Sequence, residues 1–140
     1  MVEIPEELLL LKEWESRLGL EDWNITLTAR CHPEDMALED CTGCVSYEET
    51  TKTAVIQIIN PDLLGERVCR PFDFEEVLVH EMLHLKFCLL ERGNNWEKKL
   101  QLRVLHQIID DMSRALVDAK RFSDKAKSEK KKTSKENVNV

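Results

Sequence analysis

No run of apolar residues in this chain approaches the roughly 18 needed to cross a bilayer. The first residues also lack a basic segment followed by an apolar stretch and a small-residue cleavage site. Both absences predict a soluble protein, neither membrane-bound nor secreted. The five cysteines, Cys31, Cys41, Cys44, Cys69 and Cys88, are odd in number, and two of them fall within patterns that read as strand or helix core. That argues against a disulfide framework and for a reducing, cytoplasmic setting. Internal repeats are absent as well. So is any cluster of Lys and Arg in the body of the chain: residues 120–140 carry eight Lys and Arg against three acids, which leaves residues 1–119 at −12 out of a total of −7. An acidic body offers no electrostatic footprint for nucleic acid.

What is present suits one small domain. The chain has 140 residues and is 42% hydrophobic, enough to fill a modest core. Residues 1–119 are expected to form the domain. Residues 120–140, basic and almost free of apolar side chains, are expected to be a disordered, solvated tail.

The apolar spacing predicts an α+β fold. Pro5 suits a first helical position, and Leu8, Leu11, Trp14 and Leu18 recur at helical spacing until Gly19 offers a stop. Trp23, Ile25, Leu27 and Ala29 then alternate with polar residues, as on a strand with one buried face. Two further strands, residues 44–47 and 53–60, flank a polar turn and read as a hairpin, so the sheet of about three strands should be at least partly antiparallel. Residues 62–71 look like a connecting loop. Asp73 followed by Glu76 resembles a capping box opening a second helix, expected over residues 74 to about 92. After a break at Gly93, Asn94 and Asn95, the residues Leu102, Leu105, Ile109, Met112 and Leu116 mark one face of a third helix.

The chemistry is concentrated in the second helix, where His80, Glu81, Met82, Leu83 and His84 spell H-E-x-x-H. A pitch of 3.6 residues sets the two histidines one turn apart on one face, so both imidazoles can reach a single ion. Zinc favours neutral imidazole in a tetrahedral shell, and catalytic sites keep three protein ligands with a fourth position open to water. Glu81 lies about 100° around the helix from His80, placed to act on that water as general base without ligating the metal. Around the motif stand Val77, Leu78, Val79, Leu83 and Leu85, where unpaired polar groups would be costly. One zinc per chain is the expectation.

Three residues can complete the shell: Glu91, Glu97 and His106. The metzincin pattern is excluded because Phe87 and Leu90 occupy the places of its glycine and third histidine. On a continuous helix, Glu91 would lie about 10 Å from an ion between His80 and His84, and Glu97 follows the break too closely for the chain to have turned back. His106 sits on the border of the third helix's apolar face, with Asp110 one turn later as a candidate supporting carboxylate. A partly buried histidine simply paired with Asp110 is the alternative.

The order Trp23-x-Ile25, a strand pair, Phe72-Asp73-x-Glu75-Glu76-Val77-Leu78-Val79-His80-Glu81-Met82-Leu83-His84-Leu85 and a closing amphipathic helix resembles the minimal zincins, small metallopeptidases often encoded by phages and prophages. The resemblance covers roughly residues 4 to 118. It implies a peptide or protein substrate and a strand Thr53–Ile59 forming the rim of the sheet above the motif helix. In gluzincin-type relatives the helix after the motif commonly supplies a glutamate ligand with an aspartate four residues later. His106 and Asp110 fall at those places, with histidine where the relatives carry glutamate.

Three functions compete at this point: a zinc endopeptidase, a non-catalytic module in which zinc ties two helices together, and a zinc hydrolase of nucleic acid, which the acidic body disfavours. The pair Cys41 and Cys44 allows a half zinc site or a redox pair. A turn entering a strand, with free thiols, fits its surroundings better.

Overall fold

The computed structural model describes residues 3–65, 70–91 and 96–138. Helix α1 (Glu6–Leu18) is followed by strand β1 (Asn24–Cys31), the hairpin β2 (Gly43–Glu48) and β3 (Thr53–Ile59), helix α2 (Phe74–Lys86) and helix α3 (Trp96–Val138). The α+β layout read from the sequence is the observed one. Among the described residues no helix is long and apolar enough to cross a membrane.

Local signals account for most boundaries. Pro5 caps α1 from just outside the helix, and Gly19 ends it in the left-handed region at φ 67°, which glycine adopts without steric cost. The amide of Leu20 then donates to the Glu15 carbonyl at 2.8 Å and closes the turn. Leu11 and Trp14 are the buried members of the predicted apolar face, whereas Leu8 is exposed. Asp73 opens α2, its Oδ1 accepting from the Glu76 amide at 3.2 Å. Glu76 does not complete a reciprocal capping box; its carboxylate faces Arg70 at 3.3 Å instead.

The strands form one mixed sheet in the order β1, β3, β2. β2 and β3 pair antiparallel, with Cys44 opposite Gln57 and Tyr47 opposite Ala54, while β1 runs parallel to β3 with Ile25 opposite Ala54. β3 is thus the central strand. This corrects the expectation that Thr53–Ile59 forms the rim, which belongs to β1 and β2. The physical reason is that Ala54, Ile56 and Ile58 are sealed beneath the helices while backbone pairing occupies both edges of their strand. Alternating apolar residues mark a buried face and do not distinguish a central from an edge strand. On the opposite face Thr26, Thr28, Ser46 and Val55 are exposed, while Cys44 and Ile59 are buried in a second small cluster with Cys31 and Met36.

Two predicted helices differ in extent. α2 ends at Lys86, not near residue 92, and a short 3-10 helix (Cys88–Glu91) turns the chain; the predicted break at residues 93–95 lies outside the described residues. α3 buries Ile109, Ser113 and Val117 completely, while Met112, expected on the buried face, is 37% exposed. The seam is rotated relative to the predicted one, with successive buried residues four apart.

Where a tail was expected from residue 120, α3 continues through Val138. No Gly or Pro interrupts residues 96–138, and the Lys, Ala and Glu that fill the extension favour helix once a packed segment has provided the nucleus. The tail's first two residues belong to the folded body. Lys120, with a side chain only 9% exposed, pairs with Glu75 and lies 3.2 Å from Glu13. Glu75 in turn accepts from Trp14 Nε1 at 2.8 Å and faces Arg121 at 3.2 Å. This cluster joins α1, the start of α2 and the middle of α3.

Arg121 also grips Asp73 through Nη1 at 2.6 Å and Nη2 at 3.0 Å. The guanidinium holds the Asp73 carboxyl below its ordinary 3.8, against the opposing effect of burial. A depressed folded-state pKa gives stability that is complete above about pH 4 and is lost as pH falls through the lower, folded value. Arg121→Gln is expected to cost about 0.5–1 kcal/mol at neutral pH. The penalty should shrink below about pH 4 as Asp73 is protonated in both proteins. Thermal unfolding of both across this range checks it, and a pH-independent penalty would show that the pair does not shift Asp73.

Candidate metal centre

Helix α2 is packed on several sides. Leu78, Val79, Met82 and Leu83 are buried in a core shared with α1, the sheet and α3. The remaining stripe carries His80 and His84, whose side chains are only 14% and 18% exposed. Their Nε2 atoms stand 3.3 Å apart. Two nitrogens bound at about 2.0–2.1 Å in a tetrahedral shell would be about 3.3–3.4 Å apart, so the pair has zinc-ligand spacing.

His106 approaches from α3, where the buried residues Ile109, Ser113 and Val117 seat the helix against the body. Its ring centroid lies 4.8 Å from that of His80 and 5.6 Å from that of His84. Ligating atoms of the three histidines all fall within 4.8 Å of one another, and among the described residues this is the His, Cys, Asp or Glu group that converges so closely. Glu97 is exposed on the first turn of α3 and is not a member.

The outer nitrogens of the α2 histidines face carboxylates. Asp110 Oδ1 lies 3.4 Å from His80 Nδ1 and so reaches across to α2 rather than supporting His106 on its own helix. Arg114 shares that carboxylate, at 3.3 Å. Glu91 Oε1 stands 2.5 Å from His84 Nδ1, and Glu91 Oε2 accepts from the Tyr47 hydroxyl at 3.0 Å. The separation of about 10 Å expected for Glu91 assumed an unbroken helix. The turn after Lys86 brings the residue back, though to the outer nitrogen of His84 rather than into the ligand cluster. Glu91, set aside as a ligand on helical spacing, was not foreseen as a partner of His84, and Tyr47 was missed altogether; the signal available was the Gly93–Asn95 break, which leaves room for an earlier turn.

Electrostatics separate the roles. Burial, reinforced by the charges that His84 and His106 would carry, pushes His80 down to about 4, so it is a neutral imidazole at physiological pH. His84 is raised: burial opposes its protonation, and the Glu91 carboxylate outweighs that effect. Glu81 is 6% exposed, and burial pushes its carboxyl up to about 7, with the Glu91 charge adding and His84 opposing.

No known family model, curated protein or solved structure matches this chain.

Glu81, His80, His106 and Asp110 line one cleft of about 530 Å³, together with the start of β2. Gly43 opens that strand directly against α2. A Cβ there would lie 2.7 Å from Val77 Cγ1 and 3.1 Å from Glu81 Oε1. The missing side chain is what lets the edge strand and Glu81 come together. Cys41 and Cys44 flank this point as free thiols. Their sulfurs donate to the Leu38 carbonyl at 3.2 Å and to Gln57 Oε1 at 3.3 Å, in keeping with a turn entering a strand. Burial raises the Cys41 thiol to about 11, far from the reactive thiolate range.

Gly43→Ala is expected to destabilise the protein by about 1–3 kcal/mol, because the β-branched Val77 has little rotamer freedom on a helix to make room. Chemical denaturation reads the loss, and an unchanged midpoint would mean that the gap opens without strain.

Proposed function

We propose that the chain is a zinc-dependent endopeptidase, with His80, His84 and His106 as metal ligands and Glu81 as general base. The observation that carries this reading is the convergence of three imidazoles, two of which, His80 and His106, line one cleft together with the buried carboxylate of Glu81. Zinc held by these residues would supply Lewis acidity, polarising a peptide carbonyl and lowering the pKa of water to about 7. The chain's own contribution to proton transfer is Glu81. Its carboxylate would take a proton from water and return it to the departing amine nitrogen.

Three ligating side chains converge among the described residues, whereas structural zinc sites are normally closed by four. That favours an open, catalytic site over a module that zinc merely staples. The position of β2 supports a peptide substrate. It is one of the two edge strands, and it begins at Gly43 beside Glu81. An extended peptide added to that edge by backbone hydrogen bonds would run past the base. The resemblance to minimal zincins points the same way.

Metal analysis of the purified protein is expected to find about one zinc per chain, greatly reduced in His80→Ala, His84→Ala and His106→Ala. A chain that takes up no zinc after reconstitution would refute the ligand set. Glu81→Gln should keep its zinc and lose hydrolysis of a library of unstructured peptides read by mass spectrometry, since an amide cannot accept the proton. Cleavage by this variant at the rate of the parent protein would remove Glu81 from the mechanism.

A further inference from the structure

We infer that Tyr47 and Glu91 are positioning residues that tie the edge strand β2 to the metal ligand His84. This rests on the metal-site reading above and adds to it a route by which the strand edge acts on the ligand. The chain of contacts begins at Trp23, just before β1. Its indole meets the Tyr47 ring edge-on, with centroids 6.4 Å apart and planes at 82°. The Tyr47 ring is therefore held from the side, and its hydroxyl donates to Glu91 Oε2 at 3.0 Å. The other oxygen of Glu91 meets His84 Nδ1.

The chemistry of the three groups fixes their roles. An ionised carboxylate only accepts, so the hydrogen between Glu91 and His84 sits on Nδ1. A neutral imidazole with its proton on Nδ1 has its lone pair on Nε2, the atom that faces His80 Nε2 at 3.3 Å. Glu91 thereby selects the ligating tautomer and aims the ring. Tyr47 sets the carboxylate's own orientation. It can do so because it faces the helices while its neighbours Ser46 and Glu48 are exposed.

His80 has a looser partner. Asp110 stands 3.4 Å from its Nδ1, is 44% exposed and is shared with Arg114. Glu91 is 18% exposed and lies between two partners. The two histidines are held unequally, and the strut on His84 is the firmer one. A shift of β2 on binding a peptide would therefore be felt at His84 before His80.

Two measurements test this, one of them independent of any metal. In the metal-free protein, at a pH high enough for His84 to be neutral, nitrogen NMR of the imidazoles should show it as the Nδ1–H tautomer, and Glu91→Gln should bring the Nε2–H form into the mixture. Zinc affinity, read by competition with a chromophoric chelator, should fall about 10–100-fold in Glu91→Gln. It should fall less in Asp110→Asn, and by between about threefold and tenfold in Tyr47→Phe, with melting temperatures near that of the parent. The cobalt-substituted absorption spectrum should change in Glu91→Gln. A parent His84 found as the Nε2–H tautomer, or zinc affinity in Glu91→Gln within twofold of the parent, would overturn the strut. If Glu91→Gln fails to fold, Tyr47→Phe is read by the same two measurements, and an unchanged tautomer and affinity there would exclude Tyr47. A parent protein that binds no zinc refutes the metal reading, while the tautomer measurement still decides the strut.

Discussion

A helix enclosed on several sides must find partners for every polar group it carries, because an unpaired polar atom out of water costs on the order of 1–3 kcal/mol. α2 is such a helix, with Leu78, Val79 and Met82 wholly buried. It nevertheless carries two histidines and a glutamate along the stripe that meets α3 and β2. Much around them answers that constraint. Asp110 and Glu91 take the outer nitrogens of His80 and His84, and Tyr47 takes the second oxygen of Glu91. Glu81 is left against Gly43 with its carboxyl pushed toward neutrality by burial. The inner nitrogens of the two α2 histidines are turned toward each other and toward His106, the arrangement an ion would complete.

The setting of α3 decides whether His106 can join them. Ser113 packs without exposure where a larger side chain would push α3 away from the body, and its hydroxyl is satisfied by the Asp110 carbonyl at 2.9 Å. Two turns further on, Lys120 and Arg121 engage Glu75 and Asp73 at the start of α2. A slip of α3 by one turn, about 5.4 Å, would break these ion pairs and carry His106 out of reach of His80 and His84. Charges remote from the cleft therefore fix the register of the candidate site.

These dependencies explain which features were legible in the sequence. His80, Glu81 and His84 are local: the helical period alone puts them on adjoining faces once the segment is helical. His106 required a further step, that a third helix returns past the second, and the apolar face around Ile109 supplied it. Asp110 was read as a supporting carboxylate, but its partner was not, because one-turn spacing suggests a neighbour on the same helix and says nothing of the facing one. Glu91 was hidden by two residues' worth of structure, Phe87 and Cys88, where the helix gives way to a tighter turn without any Gly or Pro to mark it. The central place of β3 was hidden for a different reason. A strand between two neighbours and a strand at an edge can carry the same alternation, and the parallel pairing with β1 is a long-range fact. The basic extension after Arg121 shows the limit of composition, since few apolar residues mean little burial but do not forbid a helix that continues from a packed one.

The division of the three histidines between two elements has a thermodynamic consequence under the proposed reading. His80 and His84 ride on one buried helix, and their inner nitrogens already have ligand spacing, so little is left to organise between them. His106 is exposed and stands on another helix, held at a distance by contacts that involve no metal. An ion bound to all three would link α2 and α3 covalently in effect, and any ion that binds the folded chain but not the unfolded one adds stability, about 2.7 kcal/mol at a free concentration 100 times Kd. The same link runs in reverse. Whatever loosens α3, including loss of the Lys120 and Arg121 pairs, raises the cost of bringing His106 to the ion while leaving the α2 pair intact. Affinity at the cleft and the anchoring of α3 at its far end are then two readings of one coupling, carried by a helix that touches both.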